Sequence, residues 1–497
     1  MKSASLPSSP ENRLSRRDIF VLALAVLLTL AVYLLASAYF FRPGFPLDDA
    51  WIHQTYARNL ALRGEWAFLP GQTSGGSTSP LWTLILVPGF WLRLSPLLWA
   101  DFLGASLLLI LGITVELILR RIFSTYHPTY PWAGLLFILE WHLAWAAFSG
   151  METLLHILLI TLVCGLLLTG SRRYLLMGLL TGIALWVRPD GSTLLGPLVL
   201  TLILEEKPLA VRLNGLVRLL IGFGALLAPY LLFNLVIAGT PLPNTFYAKQ
   251  TEYASWQASP ALDKLLTFAL QFFSGITLPL LPGIWQSLVR AWRSRNGRVL
   301  AVLLWLTGYI TLYVARLPVY QHGRYIMPAL AVYLLLALTG WLSNPPPLQP
   351  GLSRLAYSFA LVFLVVALLA GFLFGAVSFG TDTALIESQM VEISQWVNQN
   401  LPAGALVAAH DIGALGYFSQ VNLFDLAGLI SPEIVPIMME DGPLQAAMDT
   451  RGVAYLIIFP GWRPALTARG EFLYSAGSQF QPRAGLGSLS VYRWKQP

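Results

Sequence analysis

Runs of apolar residues long enough to cross the roughly 30 Å hydrocarbon core of a bilayer recur from residue 19 to about residue 378, separated by short polar turns. A chain of 497 residues with 56% hydrophobic and only 11% charged residues cannot hide that much apolar surface in one water-soluble core. Lipid, not water, must solvate most of it. We count about twelve such segments, near 19–41, 80–95, 97–119, 131–149, 152–170, 174–188, 191–205, 213–238, 265–287, 298–316, 325–342 and 355–378. Polar residues, Gly and Pro return at globular density over the last 115 or so residues. The pattern predicts an α-helical polytopic membrane domain over 1–379, with about 11–13 crossings, and a small α/β domain over 380–497.

The net charge of +7 does not argue for nucleic acid, because the basic residues fall mostly in short turns between apolar runs, as the positive-inside bias dictates. Cys164, the single cysteine, lies inside an apolar run, so neither a disulfide framework nor a Cys-based metal site is available. Arg13, Arg16 and Arg17 precede a first run that is too long for a signal peptide and lacks a clean small-residue cleavage site, which predicts a retained helix. With those arginines cytoplasmic, the loop 42–79 falls outside. Arg172 and Arg173, the stretch Glu206 to Arg212, the cluster Arg293, Arg295 and Arg298, and Arg354 then mark cytoplasmic turns. Residues 188–191, 241–263 and 316–324 fall on the outer side with the tail. An inside N-terminus and an outside tail require an odd number of crossings, so one of the twelve segments must re-enter or split. The short segments 80–95 and 131–149 are the candidates, the second because it carries Glu140 and His142.

In the tail, Ile386, Met390, Ile393 and Val397 follow helical spacing up to a stop at Pro402. Strand-like runs follow at 406–409, 454–459 and 488–494. The Pro-rich stretch 344–351 reads as a tight cytoplasmic linker.

The sharpest polar signal is in the outer loop, where Asp48 and Asp49 are adjacent just past a helix end, with Arg58 further on. A carboxylate at the membrane boundary suits a general base, because partial desolvation raises its pKa while water remains close enough to take the proton. Neighbouring loop residues point apart, so one carboxylate can face the reaction while the other is held by a cation or by Arg58. An ordinary alternative is that Asp48 or Asp49 N-caps the helix that follows, and it carries similar weight. Glu152 lies between two apolar runs, where a carboxylate is expensive unless it works or caps a helix. Arg188 and Asp190 form a similar break, read either as function or as an ion pair stabilising a turn. Lys249 in one outer loop, and His322 and Arg324 in another, stand where a lipid phosphate would lie, although single terminal cations often merely snorkel. His410 and Asp411 follow a strand in the tail; with no further His or Cys cluster nearby, a zinc site is improbable.

Taken together, these pieces resemble the GT-C class of integral membrane glycosyltransferases, near its bacterial arabinofuranosyltransferase and mannosyltransferase branches. The resemblance is carried by Leu47, Asp48 and Asp49 through Tyr56, Ala57, Arg58, Asn59 and Leu60 to Pro70 and Gly71, and on to Ser79, Pro80, Leu81 and Trp82. The stretches 149–153, 188–191, 243–249, 323–328 and 411–417 fit the same pattern in the same order, so it spans most of the chain. It implies a polyprenyl-phosphate-sugar donor, a glycan, lipid or protein acceptor, and an acidic residue of the first loop that deprotonates the acceptor hydroxyl at the outer face. Asp48 and Asp49 both match that acidic position. Lys249 and Arg324 match the phosphate-binding role first, followed by Arg188 and His322, with Arg58 and Glu152 as further substrate contacts. Some members bind a divalent metal near the acidic pair, and two oxygen ligands are too few to argue for one here. The chain departs from the family at Trp51, Ile52 and His53 and at Gly75, Gly76 and Ser77, which leaves acceptor and sugar undefined.

A transporter or flippase of lipid-linked sugars would also carry charges at membrane depth, but it would be expected to show internal repeats and broken midplane helices. A scaffold whose tail binds partners would have no need of the membrane acids. No P-loop or dinucleotide-binding pattern occurs in a strand-turn-helix context.

Overall fold

The computed structural model describes residues 13–343, 351–482 and 485–495. The expected linker 344–351 therefore lies outside the described residues, apart from Gly351. Among the described residues, five helices are long and apolar enough to cross a membrane, and five shorter apolar helices accompany them. In chain order the membrane part comprises α1 (Arg16–Phe40), α2 (Asp48–Arg63), α3 (Pro80–Trp91), α4 (Pro96–Ile122), α5 (Trp132–Leu139), α6 (Trp141–Phe148), α7 (Thr153–Leu168), α8 (Tyr174–Val187), α9 (Leu195–Leu204) and α10 (Leu209–Ala238). It continues through α11 (Asn244–Glu252), α12 (Ala254–Ala258), α13 (Ala261–Phe272), α14 (Leu281–Arg293), α15 (Gly297–Arg316), α16 (Met327–Leu342) and α17 (Leu352–Leu385).

Segment 131–149, one of the two candidates, splits. Glu140 adopts an extended conformation between α5 and α6, and its carboxylate accepts from Leu143 N at 3.0 Å and contacts His142 Nδ1 at 2.8 Å, so a polar cap replaces a helical turn. Each half spans only about 12 Å. A second break was not anticipated: 265–287 is not one span but α13, an irregular turn and α14, whose exposed Trp285 and Trp292 accompany Arg290 and Arg293 in an amphipathic pattern suited to an interface.

The burial pattern separates centre from rim. Helix α16 is buried almost all round, whereas α17 turns Phe359, Val362, Leu369 and Leu373 outward, as a lipid-facing helix must. Helices α8 and α10 pack at backbone contact, because a Cβ on Gly178 would lie 2.2 Å from the Leu219 carbonyl oxygen. Glu205 pairs with Lys207 and with Arg298 at 2.8 Å, tying the turn after α9 to the start of α15 at the end of the bundle remote from the tail.

The tail begins without interruption. Helix α17 passes through a π turn at Ile386–Val391 into α18 (Glu392–Asn400), and Ile386, Met390, Ile393 and Val397 are all buried. Strands β1 (Ala67–Leu69) and β2 (Gln72–Thr73) form a small hairpin in the first loop, and the tail carries a five-stranded sheet. Its strands are β3 (Leu406–Ala409), β4 (Asn422–Asp425), β5 (Tyr455–Ile458), β6 (Gly470–Ser475) and β7 (Ser490–Trp494), in the order β4-β3-β5-β7-β6. The β3 strand runs parallel to β4 and β5, and β7 runs antiparallel to β5 and β6. Between β3 and β4 lies the short helix α19 (Gly413–Phe418), and α20 (Asp441–Arg451) precedes β5. β4 and β6 escaped the sequence pattern because Asn422–Asp425 begins and ends on polar residues and Gly470–Ser475 is only half-buried.

Candidate active site

Helix α2 sets the geometry. It starts at Asp48 itself, and its N-cap, Leu47, offers no side-chain cap, so neither aspartate serves as the cap. Asn59 donates to the carbonyls of Ala67 and Phe68, which folds the hairpin back on the helix. The Tyr56 hydroxyl accepts from Gly76 N at 2.9 Å and contacts Ser74 Oγ at 2.6 Å, pinning the Gly-rich return. Asp49 and His53 on α2 face the loops that follow α6 and α8, helix α11 and the loop before α16.

These elements close a cavity of about 30 Å³ lined by Asp49, His53, Glu152, Arg188, Thr245, Lys249 and Arg324, among others. Asp49 Oδ2 accepts from Arg324 Nη2 at 3.0 Å. Arg188 donates to Glu152 at 2.9 Å and to Asp190 at 3.1 Å, and Asp190 in turn accepts from the Tyr309 hydroxyl at 2.5 Å. The ion pair foreseen between Arg188 and Asp190 is thus present, and Arg188 lines the cavity as well. His53 Nε2 lies 3.4 Å from Glu152 Oε2. Tyr325 organises the cations: its hydroxyl accepts from Lys249 Nζ at 2.8 Å and Arg324 Nη2 at 3.2 Å, and Arg188, Lys249 and Arg324 each sit 5.1 Å from its ring. Arg324 is buried, yet its Nε and Nη1 make no hydrogen bond within the protein, and neither does the Thr245 hydroxyl on the same cavity. Buried donors of that strength are costly unless something accepts from them.

The expectation that desolvation would raise the catalytic carboxylate fits Asp48 and not Asp49. Burial does push Asp49 up, but Arg324, Lys249 and His53 outweigh it and hold the carboxyl below its ordinary value. Asp48 points away from the cations. Its two oxygens accept from Gly413 N at 2.6 Å and Ala414 N at 2.8 Å, where α19 begins. Burial and the neighbouring Asp411 carboxylate raise it to about 7, although those two amide hydrogen bonds pull the other way.

Arg58 does not join the cavity. It donates to the carbonyls of Tyr417 at 2.6 Å and Gly416 at 3.1 Å at the far end of α19, and its guanidinium lies 4.7 Å from the Tyr417 ring. Asp48 and Arg58 therefore clasp the same short helix of the tail at its two ends, and Asp49 is held by Arg324, not by Arg58. Nor does His322 line the small cavity: it contacts Asp382 at 2.7 Å on the wall of a larger cavity of about 660 Å³ between the bundle and the tail. Asp49 borders both cavities. No site role follows from sequence for Tyr325, His53 or Thr245, since an isolated aromatic, His or Thr carries no spacing signal.

The cluster does not fit a divalent cation. Lys249, Arg188 and Arg324 outnumber Asp49 and Glu152, Asp48 is engaged by backbone amides, and among the described residues no three His, Cys, Asp or Glu side chains converge in a metal-holding group.

No curated protein sequence matches the chain. Residues 383–492 match a domain of unknown function, DUF8728. Solved structures superpose over nearly its whole length, among them the following. ArnT from Cupriavidus metallidurans, bound to undecaprenyl phosphate, is similar with a TM-score of 0.60 and 16% identity, over 95% of this chain and 98% of that one. The apo oligosaccharyltransferase of Archaeoglobus fulgidus gives a TM-score of 0.59 and 12% identity, over 96% and 74%. The mycobacterial arabinofuranosyltransferase AftD gives 0.51 and 16%, over 98% of this chain and 40% of that one. The identities are low and the coverage is high, so the likeness is one of architecture: this chain has the fold of the GT-C membrane glycosyltransferases.

Proposed function

We propose that the chain is an inverting glycosyltransferase that moves a sugar from a polyprenyl-phosphate donor to a glycan, lipid or protein acceptor at the outer face of the cell membrane. In this reading the N-terminus is cytoplasmic and the tail extracytoplasmic. The observation that carries it is the set of unpartnered buried donors, Arg324 Nε and Nη1 and the Thr245 hydroxyl, beside Lys249 and Arg188. A phosphate monoanion or diester satisfies such a set, and the planar Arg fork suits it. ArnT in its undecaprenyl-phosphate complex supports the same ligand class by analogy of fold.

Asp49 is the base we assign. It takes the proton of the acceptor hydroxyl as that oxygen bonds to the anomeric carbon, and the bond from that carbon to the phosphate oxygen breaks with its electron pair leaving on the phosphate. The cations that hold the phosphate are those that depress Asp49, so an anion bound among them neutralises their effect and restores basicity to the carboxylate. Donor binding thus arms the base.

The test is sugar transfer or hydrolysis from a panel of polyprenyl-phosphate sugars, comparing wild type with Asp49→Asn and Asp48→Asn. Turnover abolished only by Asp49→Asn, with donor binding kept, is expected. Donor binding with no turnover in any form, acceptors included, would move the assignment to a transporter or flippase of the same lipid.

A further inference from the structure

The larger cavity has a chemistry of its own. At about 660 Å³ it is in the range of a small-ligand site, and it meets the cation cluster at Asp49. Its basic groups are committed: Arg463 to Asp441 and the Met438 carbonyl, His322 to Asp382, while His410 lies between two acids. Its acids are less so. Glu252 and Asp411 lie 3.8 Å and 3.5 Å from His410, beyond good hydrogen bonding, and both are partly open to the cavity. Trp462, 41% exposed, lines the wall beside them and packs against His410 with ring centres 4.6 Å apart, and Tyr253 and Trp256 line it too.

Accepting carboxylates next to broad apolar rings are what a sugar ring requires: paired hydroxyls donate to the carboxylates and the C–H face lies on an aromatic ring. The excess of carboxylate opposes an anion. We infer that this cavity is the acceptor site and that it takes an uncharged carbohydrate ring, presenting one hydroxyl to Asp49. This rests on the glycosyltransferase reading for its role as acceptor, but the carbohydrate chemistry is argued from the lining alone. A phosphorylated acceptor or a peptide is the rival occupant.

The experiment uses the full-length protein in detergent, with saturation-transfer NMR and competition against three probe sets. These are methyl glycosides and disaccharides, the same sugars as phosphate esters, and a lysine-containing hexapeptide. Polyprenyl phosphate binding is measured in parallel. We expect the neutral sugars to bind and their phosphate esters to bind about tenfold more weakly. Trp462→Ala should weaken sugar binding about fivefold or more while melting temperature and polyprenyl phosphate affinity stay as in wild type. Glu252→Gln should reduce the discrimination against the phosphate esters. Equal or tighter binding of the esters, preferential binding of the peptide, or sugar binding indifferent to Trp462→Ala overturns the inference. If sugars bind as expected and polyprenyl phosphate does not bind at all, the carbohydrate site stands and the proposed enzyme falls.

Discussion

The two cavities that meet at Asp49 are built with opposite charge. On one side Arg188, Lys249 and Arg324 surround a single tyrosine; on the other, Glu252 and Asp411 face aromatic rings beneath the tail. The first is formed mainly by elements of the helical bundle, with Leu429 of the tail on its lining, and the second by bundle and tail together. A reaction between an anionic donor and a neutral nucleophile calls for that partition, with the proton acceptor on the border. Adjacent carboxylates take opposite sides as well: Asp49 faces the cations, and Asp48 fastens the tail that roofs the second cavity.

The partition breaks most visibly if Asp49 is not the base. Asp49→Asn should lower turnover by about 10²–10⁴-fold with donor affinity retained, whereas Asp48→Asn should keep most of it; the reverse pattern in a turnover assay would exchange their roles. Next in size, Arg324→Ala removes charge-assisted hydrogen bonds of about 1.5–3 kcal/mol, or about ten- to a hundredfold in polyprenyl phosphate affinity. It should also raise the acidic limb of the kcat/KM pH profile, because Asp49 loses the cation that depresses it; an unmoved limb would separate Arg324 from Asp49.

Smaller effects probe the tail clasp. A Cβ on Gly413 would lie 2.0 Å from the Asp48 carbonyl oxygen, so Gly413→Ala should cost about 1–3 kcal/mol of docking stability, read as faster proteolysis of the tail. Unchanged cleavage would show that the clasp carries no docking stability. The same clasp should respond to pH. The folded state holds the Asp48 proton up to about pH 7 against an ordinary 3.8, so docking loses stability as pH climbs through that window. His410, which burial alone would lower, is raised to about 9 by Asp411, Glu252 and Asp425; its contribution is complete below pH 6.5 and lost by about pH 9. Amide exchange at Gly413 and Ala414 should therefore be slowest, after correction for intrinsic rates, in mild acid. Asp48→Asn should flatten the lower of the two windows.

Much of the outline was legible in the chain itself. Residues 386–397 showed helical spacing and form the descending helix, and β3, β5 and β7 lie within the three strand-like runs. The break at Glu140 was also within reach, because a carboxylate and a histidine in a short apolar run must find partners. The break between α13 and α14 was not, since Phe272 to Leu281 is apolar throughout its irregular turn except for Ser274 and Thr277, whose hydroxyls bond locally to backbone carbonyls. Composition registers polarity, and that turn satisfies its own.

What the sequence determined by itself was therefore the solvent, the order of elements and the few loops in which charge is tolerated, because hydropathy and period are local properties that neighbours along the chain fix. Tertiary structure alone decided what those charges do. Asp48 and Asp49 are adjacent and chemically identical, and they differ only because one meets the amides of residues 413 and 414 and the other meets Arg324, partners more than 250 positions away. Charge interactions depend on distance in space, and that distance is set only when the bundle and its tail have packed.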